Sequence, residues 1–167
     1  FADLSITSGA SLVVGVGGSA TVTGSLSNSG LVNVVSGNVT TFNANDNNGT
    51  MFIAAGRTLA IQSGAFNNAS SGTISGSGTI SVPTLNNLGT LTPGGAAAIG
   101  TLTVAGNLDL QSSSVLDFEW ANGSPDRINV SGNLALGGTA RVKESGTPFI
   151  AGGTGFDAIA FTGSQSG

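Results

Sequence analysis

The chain has no cysteine, no histidine and no tyrosine, and charged residues make up only 7% of its 167 positions. Without cysteine, no disulfide framework staples the fold, and cysteine usage says nothing of the compartment. Without histidine, the commonest general base is missing and a Ser-His-Asp triad is excluded. Only Arg57, Arg127, Arg141 and Lys143 are basic, against a net charge of −4. Four cations do not neutralise a run of phosphates, which excludes nucleic acid as a partner. No apolar run reaches membrane-spanning length, because Gly, Ser, Thr or Asn interrupts every one. Helix is missing from the pattern too: no apolar stripe of helical period survives, and helix breakers recur every few residues.

What is present is 39% apolar residues and 28 glycines, with Ser, Thr and Asn supplying the polarity. That balance is too hydrophobic for a disordered chain and has no Gly-X-Y period. The chain opens at Phe1 with neither a start methionine nor a signal pattern, and closes at Ser166-Gly167. It reads as a single domain over residues 1–167, a processed protein or an excerpt of a longer secreted chain.

The organising stretch is Thr101–Leu110, TLTVAGNLDL, which returns 26 positions on as Arg127–Leu136, RINVSGNLAL. Apolar and polar residues alternate on either side of a Gly-Asn step, which predicts two short strands joined by a bend. Looser repeats precede it. Strand-like phrases ending at glycine start at Leu4, Val32 and Leu59. A second phrase, apolar-x-Asn, runs Leu26-Ser-Asn28, Phe66-Asn-Asn68 and Leu85-Asn-Asn87, with the apolar residue inward and the Asn at a corner. A third, Gly-Thr-Ile/Leu, occurs at 72–74, 78–80, 89–91 and 100–102.

A phrase returning at this interval is the mark of a solenoid. The expected fold is all-β, a right-handed parallel β-helix. At about 25 residues per coil it makes roughly six to seven coils, each rising about 4.8 Å. The alternative is a β-sandwich, which short strands with glycine corners would also suit. Hairpin dipeptides are scarce between matched strands, Asn48-Gly49 and Asn122-Gly123 aside, and this favours the solenoid. Identical residues would stack in ladders, and the two ends would present unpaired strand edges.

Chemistry is best sought among the few charges. Asp117 and Glu119 share one side of an alternating run, with Leu116, Phe118 and Trp120 on the other. Paired carboxylates would serve glycosidic cleavage, or with Asp126 would hold Ca²⁺. The favoured reading is structural: Asp117 or Glu119 pairs with Arg127 on the neighbouring strand, and Asp126 caps a turn. Trp120 is expected in the core rather than under a sugar ring. The Asn43–Gly49 stretch loosely follows a calcium loop but lacks the closing glutamate, and is expected to be an exposed corner loop. Asn38, Asn48, Asn68, Asn122 and Asn129 each open an Asn-X-Ser/Thr triplet, most of them by chance. Thr21/Thr23, Thr90/Thr92 and Thr101/Thr103 place threonine pairs on strand faces, as an ice-binding solenoid would.

Val115–Trp120 followed by Ser124–Thr139, with Leu91–Gly94 and Ile99–Val104 upstream, resembles the β-helical repeats of bacterial autotransporter passenger domains and haemagglutinin-like adhesins. The closing Phe156–Gly167 is similar to the strand that follows there, and the resemblance covers Leu88–Gly167. It implies a secreted or cell-surface rod in adhesion, matrix or filament, localised outside a bacterial cell. The expectation is therefore a non-enzymatic structural or adhesive solenoid with no catalytic residue, metal or cofactor. Its partners would be itself, end to end, flanking domains of the same chain, or a host or matrix glycan. Phe1, Leu4, Phe156 and Phe161 are the candidate assembly contacts. A polysaccharide-binding or polysaccharide-cleaving β-helix is the alternative.

Overall fold

The computed structural model describes residues 1–43, 45–96, 98–121, 124–137 and 157–167. These residues form strands and corners with no helix among them. Val, Ile, Thr and Leu at every second position put one row of side chains inward and the next outward, so each short strand buries half of itself.

The strands wind into three faces. The first face stacks β3 (Ser19–Val22), β6 (Asn38–Thr41), β9 (Thr58–Ile61), the start of β12 (Thr79–Asn87), the start of β14 (Thr101–Leu110), β18 (Arg127–Val130) and β20 (Ile159–Phe161). The second stacks β1 (Leu4–Ile6), β4 (Leu26–Asn28), β7 (Asn45–Asn47), β10 (Ala65–Asn68), the ends of β12 and β14, β19 (Leu134–Leu136) and β21 (Gln165–Ser166). The third stacks β2 (Ser11–Val14), β5 (Leu31–Val34), β8 (Thr50–Ile53), β11 (Thr73–Gly76), β13 (Thr90–Pro93) and β15 (Val115–Leu116). Among the described residues every ladder is parallel except a short antiparallel pair, β16 (Trp120–Ala121) with β17 (Ser124–Pro125). This is a parallel β-solenoid, and the sandwich alternative is excluded.

The repeat at residues 101 and 127 is the register of the fold. Leu102 lies over Ile128 and Val104 over Val130, and Leu108 and Leu110 lie over Leu134 and Leu136. The bend is also where the Gly-Asn step placed it. β14 passes from the first face to the second at Gly106, whose φ is 153°, and a side chain there would collide with the Val82 carbonyl oxygen. β12 makes the same passage at Pro83, where its register against β14 shifts between Ser81 and Thr84.

Two expectations on spacing are corrected. About five turns are formed among the described residues, rather than six to seven. The early coils advance by only 19 to 23 residues. From Asn107 to Asn133 the chain spends 26 residues, and from there to Ser164 it spends 31. Second, Leu4, Val32 and Leu59 do not stack: they lie on the second, third and first faces. Their separations of 28 and 27 positions each equal one turn plus one face, because every strand that ends at a glycine corner looks alike in sequence.

The second phrase does stack, and it supplies the main polar feature of the interior. Asn28, Asn47, Asn68 and Asn87 occupy one inward column, all fully buried. Each amide nitrogen donates to the next amide oxygen: Asn28 Nδ2 to Asn47 Oδ1 at 2.8 Å, Asn47 Nδ2 to Asn68 Oδ1 at 2.8 Å, Asn68 Nδ2 to Asn87 Oδ1 at 2.7 Å. Their remaining hydrogens reach corner carbonyls such as Thr50 O and Gly89 O. A buried amide left unpaired costs heavily, so the column is tolerable only because every member finds partners. A column of corner glycines lies alongside it. A side chain at Gly89 would strike the Gly72 and Ala69 carbonyl oxygens.

The Asn43–Gly49 stretch is the clearest departure from expectation. Asn45–Asn47 is strand β7, with Asn45 and Asn47 buried. Asn47 completes the amide column. Asn45 stands between Leu26 and Phe66, its Oδ1 accepting from Leu26 N at 2.6 Å and its Nδ2 donating to Thr41 Oγ1 at 2.7 Å. Composition alone read as a loop; the stacking of neighbours overrides it, since the coils above and below offer partners for each amide.

Asn68→Leu should destabilise the chain by about 2 kcal/mol or more, because it strands one buried amide on each side. Asn67→Leu, on the outward row, should change stability by less than about 0.5 kcal/mol. Equilibrium denaturation of the two variants checks this, and equal effects would remove the column from its structural role.

Candidate functional site

The carboxylates singled out in the sequence do converge where β15 leaves the third face. Leu116 and Phe118 are buried inward, while Asp117 and Glu119 are half-buried on the other side. Trp120 is half-buried, not in the core where its alternation with Leu116 and Phe118 placed it, because it has turned into the antiparallel pair with Pro125. Asp126 is fully buried. Its Oδ1 accepts from Gly100 N and its Oδ2 from Glu119 N, each at 2.7 Å. It therefore ties the base of the β16–β17 pair to the corner of the coil before it. Both carboxylate oxygens of Asp126 thus serve the main chain. Arg127 is exposed, its main-chain N–H donating to Gly100 O. Arg141, Lys143, Phe156 and Asn122 lie outside the described residues.

Burial pushes the Asp126 carboxyl above its ordinary value, and the nearby charges of Glu119 and Asp117 push it further. The two main-chain N–H bonds oppose this by favouring the ionised form, but burial is the larger effect. Among the described residues no three acidic side chains are placed to hold a metal ion together. The Asn43–Gly49 stretch, once considered for calcium, spends Asn45 and Asn47 in the interior. Asp46 is exposed and accepts from Asn67 Nδ2 at 2.9 Å. Of the Asn-X-Ser/Thr triplets, Asn68 is buried in the amide column, while Asn38, Asn48 and Asn129 are exposed.

The two ends of the stack are a second candidate. β1 and β2 at one end, and β20 and β21 at the other, each pair with a single strand among the described residues. Phe1 lies along the edge of β3: its ammonium donates to Thr21 O at 2.9 Å and its carbonyl accepts from Thr23 N at 2.7 Å. That sets Phe1 opposite Val22, in an inward column, yet its side chain is 69% exposed. Leu4 and Leu12 are half-buried where their counterparts one turn on, Leu26 and Val32, are fully buried. At the far end Phe161 continues the column of Val130 and is 37% exposed. Each end thus shows the last rung of the apolar core.

A third surface was only half visible in the sequence. On the first face the outward rows are Ser19/Thr21, Asn38/Thr40, Thr58/Ala60, Thr79/Ser81 and Thr103/Ala105, in strict register from coil to coil. None of these is charged and none is large, though Arg127 of β18 stands on the same face opposite Thr101. The outward rows of the third face, by contrast, include Val13, Leu31 and Phe52. The threonine pairs named in the sequence do not form one array: Thr21 and Thr103 stand in these rows, whereas Thr90 and Thr92 belong to the third face.

No known protein family, curated protein or solved structure matches the chain. The class is thus set by the fold alone: a parallel β-solenoid with three faces.

Asp126→Asn should cost about 1–3 kcal/mol, because the amide keeps an acceptor for Gly100 N but turns a donor toward Glu119 N. The pH dependence has a definite sign. With its value raised by folding, Asp126 holds a proton more tightly in the folded chain than in the unfolded one. Its contribution is then complete below the ordinary carboxylate range and is lost as pH rises through the raised value. The stability advantage of the parent chain over Asp126→Asn should therefore shrink between pH 4 and pH 8 in guanidinium titrations. An advantage that grows with pH would contradict this assignment.

Proposed function

We propose that this chain is a non-enzymatic structural segment of an extracellular rod on the bacterial surface, an adhesin stalk or filament unit that lengthens by stacking coil on coil. The observation that carries this reading is the state of the two ends. Among the described residues both present single-partnered parallel strands together with the last rung of the core, exposed Phe1 and half-buried Leu4 at one end and exposed Phe161 at the other. Solenoids that stop usually close their ends with polar or charged caps. An uncovered edge of this kind accepts another strand in the same register as the coils within. The coil added is one from a second copy or from flanking sequence of the same chain. The winding is right-handed, as parallel crossovers overwhelmingly are.

Asp126, the buried member of the acidic cluster, supports a structural rather than a catalytic role for that residue. General acid catalysis needs a carboxyl group aimed at substrate. Both oxygens of Asp126 face main-chain N–H groups instead. The resemblance of Leu88–Gly167 to surface-protein repeats supports a position outside the cell, where a host or matrix glycan is the partner an adhesin would meet.

A second reading, ice binding, is favoured by one specific observation: the registered outward rows of small Ser, Thr, Asn and Ala on the first face from β3 to the start of β14. Small hydroxyl and methyl groups at fixed spacing suit an ordered water surface better than a sugar, which would call for an aromatic platform.

Electron microscopy and sedimentation across a concentration series test the first reading. The purified chain should form filaments of regular width, and Phe1→Lys with Phe161→Lys should leave single short rods with an unchanged β-sheet circular dichroism spectrum. Isolated rods of the parent chain at high concentration would sink the filament reading. For the second, freezing-point osmometry should show thermal hysteresis that Ser81→Arg removes; a parent chain with no hysteresis rules it out.

A further inference from the structure

We draw no further inference here: the strongest candidate, the exposed apolar patch of Val13, Val16, Leu31 and Val35 on the first two coils, adjoins the end of the rod already used in the proposed function, and nothing in the structure shows what covers it.

Discussion

Every inward side chain in this molecule must match the residue one coil above it and the residue one coil below. Parallel strands lie about 4.8 Å apart, so a buried group has like or complementary neighbours at that distance or leaves a gap. Apolar columns satisfy the condition by packing, as in Leu12, Val32, Met51, Ile74, Leu91 and Leu116. The asparagine column satisfies it by hydrogen bonding along the stack. It runs from Asn28 to Asn87 and is bounded by Ile6 on one side and Leu110 on the other. The polar interior therefore spans four coils and then gives way to hydrocarbon.

That constraint accounts for the uneven behaviour of the chain. Where the match is kept, coils are short and regular. Where the chain departs from it, in the antiparallel pair between β15 and β18, a buried carboxylate satisfies the main chain instead. Asp126 holds two main-chain N–H groups that no neighbouring strand serves. The same demand for matching leaves the last described rung of each column with a partner on one side alone.

Much of this was legible in the residues. The pair of phrases at Thr101 and Arg127 gave the register, the bend at Gly106 and the direction of the side chains, because two adjacent coils happened to keep the same sequence. The Leu26, Phe66 and Leu85 phrases gave the asparagine corner. The Asn45–Asn47 strand was not legible, since a run of Asn and Asp carries loop propensity wherever it occurs. The signal that would have found it is the spacing of Asn47 from Asn28 and Asn68, together with Gly49 two positions on, as Gly30 follows Asn28. Trp120 was misplaced because alternation was carried past the point where the strand ends and an antiparallel turn begins.

The sequence by itself determined the class: strands without helix and a repeat near one coil in length. These follow from composition and period, which are local properties. Only the tertiary structure decided which phrases lie on the same face, how many turns close, and which outward rows come into register. Those depend on coil length, and coil length is set at the corners, where one residue more or less leaves the strand pattern intact but changes what it stacks upon.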